Sequence, residues 1–119
     1  MGLDWHRFVV AIDEGGALIG CGQLKPHPGA ILELASIAVV PEHRHLGIAR
    51  AVIEYLIGRA SRPLYLTCRA ELEPFYARWG FAPLGPADMP PYFRRLWRVV
   101  SIAGRLALTP DRLSVMVLM

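Results

Sequence analysis

The run "LELASIAVVPEHRHLGIARAVIEYLI", Leu32 to Ile57, changes its apolar period in midcourse. Up to Val40 it reads as a strand. From Leu46 the apolar residues Ala49, Val52, Ile53, Leu56 and Ile57 share one face of a helix, while Arg50 and Glu54 stand four apart on the other. A strand passing so directly into a helix constrains the chain to an α/β architecture, in which the helix must pack back on a sheet.

The remaining segments extend this reading. "RFVVAID" and "ALIGCGQLKPH" are two β-rich runs joined by the acidic, glycine-bearing turn "EGG", a hairpin signal, and "AILELASIAVV" is a longer third strand after "PHPG". "PLYLTC" is a short, buried fourth strand, of the kind reached when a helix crosses over to a parallel neighbour. "ELEPFYARWGF" is a short second helix: acidic residues and Pro74 open it, Phe75 and Trp79 lie one turn apart, and Gly80 occupies a left-handed C-cap. "APLGPADMPP" is a proline-rich loop, "YFRRLWRVVSIAGRL" a third helix, and "LSVMVLM" a closing strand after the "TPD" turn.

A chain of 119 residues is one domain's worth, so residues 1–119 are read as a single domain. With 54% hydrophobic and 19% charged residues it is no disordered segment, and it calls for a shielded sheet or an apolar partner, a homodimer included. The net charge of +3 comes from arginine, since Lys25 is the only lysine; it is too small for a nucleic-acid footprint and suits a small phosphorylated ligand. Cys21 and Cys68 have neither zinc nor disulfide spacing, which fits a reducing, cytoplasmic setting. No apolar run approaches the ~18 residues of a spanning helix, the start has no signal-peptide pattern, and Gly2 opens no myristoylation motif, so a soluble protein without stable membrane insertion is expected.

The junction "EHRHLGIAR" admits three readings. His43 and His45 suggest a metal, but a catalytic zinc takes at least three protein ligands and no third is spaced for it, so no metal site is assigned. A solvated basic turn capping the helix is the second. The third is an anion cradle: Gly47 and Ala49 reduce bulk where helix N-terminal amides are free, and Arg44 and Arg50 add positive charge. Neither a P-loop nor a dinucleotide fingerprint is present.

Taken in order, Val40-Pro41-Glu42-His43, Arg44-x-x-Gly47-x-Ala49, a helix, a strand, and then "FYARWGF" (Phe75 to Phe81) resemble the GCN5-related N-acetyltransferase (GNAT) family. The resemblance covers roughly Arg7 to Phe81. It implies a GNAT-like acyl-CoA N-acyltransferase fold: a mixed, mostly antiparallel sheet with helices on both faces, and a parallel splay between "LELASIAVV" and "PLYLTC" that admits acetyl-coenzyme A. It also implies that Ile37, Ala38 and Val39 pair through their backbones with the pantetheine arm. The amides of Arg44, His45, Leu46, Gly47, Ile48 and Ala49, beside Arg50, would hold the pyrophosphate. The implied reaction is direct attack of a primary amine, on a small molecule or a peptide, upon acetyl-coenzyme A, without a metal.

Within that reaction Glu33 is the candidate general base, an ionisable side chain amid Leu32, Leu34 and Ala35; the alternative is a solvent-facing or ion-paired residue. Tyr76 stands where the family keeps the general acid for the coenzyme A thiolate, unless it is a packed aromatic beside Phe75 and Trp79. Amides near Ile37 and Ala38 are candidates for an oxyanion hole. The sequence departs from the family at Arg69, where many relatives carry asparagine; its guanidinium would replace those contacts with the cofactor. Cys68, before it, is read as an inert buried thiol. Relatives also carry a strand and one or two helices ahead of the strand that starts near Arg7, so the domain is expected to be N-terminally abbreviated. Two rival functions stand beside the enzyme: a coenzyme A-binding module without turnover, and an unrelated nucleotide- or phosphate-binding domain. The segment from Tyr92 to Leu108, with Arg94, Arg95, Arg98 and Arg105 among Phe93, Leu96, Trp97, Val100 and Ala103, is expected to pack on the sheet. Its other possible roles are to cover the acceptor, to form a dimer face, or to rest on an anionic surface. Trp5, His6 and His27 have no partners legible in the sequence.

Overall fold

Asp13 closes the first hairpin. Its carboxylate accepts from the amides of Gly15 and Ala17, each at 2.9 Å, and Gly16 takes a left-handed φ of 83°. The acidic turn thereby folds β1 (Phe8–Ile12) back on β2 (Leu18–His27). The computed structural model describes residues 7–107 and 112–119, with no side chains at 105–107. The chain divides into two compact units: the described residues up to Pro26 with Leu32–Ser61, and His27–Ile31 with Arg62–Met119.

The first unit has the strand order β1-β2-β3, where β3 is Ile31–Val39, and its helix is α1, Ile48–Arg59. β1 runs antiparallel to β2 with Val10 opposite Cys21. α1 buries Val52, Ile53 and Leu56, as its period predicts, and each such side chain contributes roughly 1.5–3 kcal/mol. The helix lies close because β2 has no side chains beneath it at two alternate positions. A Cβ on Gly20 would stand 2.9 Å from Ile48 Cγ2, and one on Gly22 would stand 2.6 Å from Ile37 Cδ1 and 2.8 Å from Val52 Cγ1. The sequence carried this signal in "GCG", since glycine inside a strand marks a close approach.

The second unit orders its strands β4-β6-β5: β4 is Leu64–Arg69, β5 Ala82–Pro83 and β6 Leu113–Leu118. Both pairs are antiparallel, with Leu66 opposite Met116 and Pro83 opposite Met116 on the other side. α3 (Pro91–Ala107) fixes one face of this sheet through fully buried Phe93, which packs with Met89 and Val115 and stacks on Tyr65 at 5.4 Å. The alternate face carries Cys68, Met116 and Leu118, and there α2 (Glu73–Ala77) and its C-terminal turn sit. A Cβ on Gly80, at φ 95°, would be 3.1 Å from Leu118 Cδ1. This unit therefore has helices on both faces.

The stretch "APLGPADMPP", read as a loop, holds the two-residue strand β5 and a 3-10 turn at Pro86–Asp88. Pro83 obscured the strand because it removes a ladder donor, a loss that an edge position tolerates. Arg94 braces the turn, donating from Nε to Pro86 O at 3.0 Å and from Nη2 to Met89 O at 3.1 Å. His27 stacks on Tyr92 with centroids 4.0 Å apart. Trp5, His6, the "TPD" turn, Leu108 and the Arg105 side chain lie outside the described residues.

Candidate active site

Between β3 and α1 the chain makes a 3-10 turn, Pro41–His43, and then a loop. His43 N donates to Val40 O at 3.0 Å and Arg44 N to Pro41 O at 3.3 Å, so the Arg44 amide is spent inside the turn. His45 and Gly47 follow in left-handed conformations, φ 69° and 82°, which turn the loop outward before α1 begins. The first helical hydrogen bond is Ala51 N to Gly47 O at 3.0 Å, and no side chain caps this helix. The amides of Ile48, Ala49 and Arg50 thus precede the intrahelical ladder at the positive end of the helix dipole. A Cβ on Gly47 would meet nothing within 4 Å, so the space before these amides is open.

Both arginines of the loop are exposed, and both have local partners. Arg44 Nε donates to Val39 O at 3.3 Å, and Arg50 Nε meets Glu54 Oε1 at 3.0 Å. An exposed i,i+4 pair contributes only about 0.3–0.5 kcal/mol, too little to keep Arg50 from an incoming anion. His43 Nδ1 is sealed from solvent and has no hydrogen-bond partner.

On β3, Ile37, Ala38 and Val39 lie directly beyond a backbone irregularity that the sequence does not announce. Ser36 has φ 59°, rare for a residue other than glycine in a strand. Two β2 side chains hold it: Gln23 Nε2 donates to Ser36 Oγ at 2.7 Å, and Cys21 Sγ to Ser36 O at 3.5 Å. Glu33, three residues earlier, is 7% exposed and therefore not a solvent-facing strand residue. Its neighbours Leu32 and Leu34 alternate to the opposite face.

The second unit holds Tyr76 and Arg69. Tyr76 lies within an aromatic group: its ring is 5.1 Å from Phe75 and 6.2 Å from Phe81, and Phe75 meets Trp79 edge-on at 5.1 Å. Burial raises the Tyr76 phenol above its ordinary value, and the nearby Cys68 thiol raises it further. Cys68, 3.9 Å from Met116 Sδ, is itself pushed to about 11 by burial and by the negative charge of Glu73. A phenol so placed keeps its proton at neutral pH, the state a proton donor requires. Arg69, the last residue of β4, extends into solvent and pairs with Glu71 at 3.2 Å.

Residues 4–83 match the family model described as an acetyltransferase (GNAT) domain. Comparison with curated protein sequences gave no match. Among solved structures, an N-acetylglutamate synthase from Neisseria gonorrhoeae, complexed with coenzyme A and N-acetylglutamate, gives a TM-score of 0.72 at 20% identity, covering 95% of this chain and 26% of its own. A Mycobacterium tuberculosis protein in complex with coenzyme A gives 0.66 at 23% identity, covering 95% and 76%. A Bacillus anthracis protein assigned as a streptothricin acetyltransferase, in complex with acetyl-coenzyme A, gives 0.63 at 18% identity, covering 93% and 60%. This chain spans about a quarter of the synthase's length, and at these identities the likeness establishes the α/β acyltransferase fold. Since the matched segment takes in the strand-to-helix junction and the Tyr76 helix, the chain belongs to the GNAT acetyltransferase family.

Proposed function

We propose that this chain is an N-acetyltransferase that moves an acetyl group from acetyl-coenzyme A to a primary amine. The observation that carries the reading is the uncapped start of α1, reached through left-handed His45 and Gly47, with open space before its first amides. These features fit a pyrophosphate: three amides, a helix dipole and two weakly engaged guanidiniums face one direction of approach. The partnerless His43 Nδ1 at the root of the loop leaves a polar atom that a bound group or its water would complete. In this reading His45, Leu46, Gly47, Ile48, Ala49 and Arg50 form the cradle, and Arg44 contributes its side chain.

The donor supplies an activated acetyl group as its thioester. Ile37, Ala38 and Val39 would align its arm by backbone pairing, with the Ser36 irregularity turning an amide toward the carbonyl. Glu33 would take a proton from the acceptor ammonium, directly or through water, because only a neutral amine attacks. Tyr76 would give its proton to the departing thiolate. Family resemblance is what assigns Glu33 and Tyr76 to one reaction. Arg69 would serve the cofactor by exchanging Glu71 for a phosphate or carbonyl oxygen. Both cysteines are free thiols, in keeping with a reducing, cytoplasmic setting.

Steady release of coenzyme A thiol in the presence of a panel of amines tests this reading. Turnover with at least one acceptor, lost in Glu33→Gln, is expected. Binding of acetyl-coenzyme A with a flat trace for every acceptor would instead favour the binding module.

A further inference from the structure

α1 has a second end. Its twelve residues span about 18 Å, and at the end away from the cradle the first unit encloses a recess of about 390 Å³. Leu24, Leu32 and Leu56 give it apolar walls, while Arg7, Arg59 and Tyr55 also line it. No aspartate or glutamate is among its lining residues. Arg59 is positioned without being neutralised: its Nη1 donates to Tyr55 Oη at 2.7 Å, and its guanidinium carbon lies 5.4 Å from the Tyr55 ring centre. Strand alternation puts Leu32 on the face opposite Glu33, so the recess stands apart from the candidate base.

We infer that this recess binds a small organic anion, a carboxylic acid with an apolar body. The carboxylate would lie against the guanidiniums of Arg7 and Arg59, and the body against the three leucines. The volume falls within the roughly 300–1,000 Å³ of small-molecule sites, whose usual build is apolar walls with a few convergent polar groups. The C-terminal dipole of α1 opposes an anion with about half a charge, which two guanidiniums outweigh. A bare phosphate would satisfy the arginines and leave the leucine walls unused, and for that reason an acid with an apolar body is favoured.

Calorimetric titration of the full chain with sodium phenylacetate, phenylacetamide and inorganic phosphate tests the inference. Saturable phenylacetate binding is expected, at least about tenfold tighter than phenylacetamide or phosphate, because a charge-assisted pair and the apolar contacts each contribute. Arg59→Gln should weaken phenylacetate about tenfold, and Arg59→Lys should recover part of the loss. Saturating coenzyme A should leave phenylacetate affinity within about twofold, since the two sites occupy opposite ends of α1. Equal affinity for phenylacetate and phenylacetamide, phosphate binding as tight as phenylacetate, or no saturable heat with phenylacetate would each overturn the proposal. The ligand comparison uses the unmodified protein, so it stands whether or not a variant folds.

Discussion

Gly22 lies so close beneath Leu56 that a Cβ on the glycine would stand 2.9 Å from Leu56 Cδ1. The same absent atom would crowd Val52 and Ile37, so one glycine sets the distance between β2 and the helix whose start forms the cradle. Gly22→Val should destabilise the fold by roughly 1–3 kcal/mol, the usual penalty of overpacking. The urea midpoint should fall accordingly, and the affinity for coenzyme A should fall with it as α1 is displaced. A midpoint equal to that of the unmodified protein would contradict the packing account.

Gly47 presents the opposite case, with open space but a left-handed backbone. Gly47→Ala should cost about 1–2 kcal/mol in stability from its positive φ alone. Thermal unfolding would measure that strain separately from any change in binding.

Tyr76 holds its proton beyond the ordinary tyrosine range. Tyr76→Phe should lower kcat roughly a hundredfold while the KM for acetyl-coenzyme A stays within about twofold. In the unmodified protein, no loss of rate below pH 10 should trace to this phenol. An unchanged kcat in the phenylalanine variant would reduce Tyr76 to a packing residue among Phe75, Trp79 and Phe81.

Cys68 makes a pH prediction with a definite sign. Its thiol keeps the proton to about 11 in the fold, against an ordinary value of 9.0. Between those values the unfolded chain releases the proton first, so this contribution to stability is full below pH 9 and is lost as pH rises toward 11. Cys68→Ala should flatten the decline of the unfolding midpoint over that window. At pH 8 a thiol reagent should modify half-buried Cys21 well before Cys68.

The boundaries of α1 and α3, the Asp13 hairpin and the Gly80 cap were legible in the sequence, because each rests on local chemistry: an apolar period, an Asx turn, a left-handed glycine. β5 was not. Two residues carry no period, and Pro83 argues against a strand unless its place at an edge is known. The cradle was legible in Arg44, Gly47 and Ala49, yet the sequence could not show that the Arg44 amide is consumed by the 3-10 turn. Ser36 escaped as well, since its positive φ depends on Gln23 and Cys21 of the neighbouring strand. The burial of Glu33 and the Arg7–Arg59 recess likewise arise from tertiary packing, in which residues distant along the chain meet.

Calorimetric titration of the full chain and of Gly47→Glu with acetyl-coenzyme A tests the central claim most directly. The unmodified protein should bind about one equivalent, with a dissociation constant between about 1 μM and 1 mM. The variant should show no saturable heat, because its carboxylate would stand against the pyrophosphate. Equal binding by both proteins, or tight binding of ATP with none of acetyl-coenzyme A, would contradict the assignment of the α1 N-terminus as an acetyl-coenzyme A cradle.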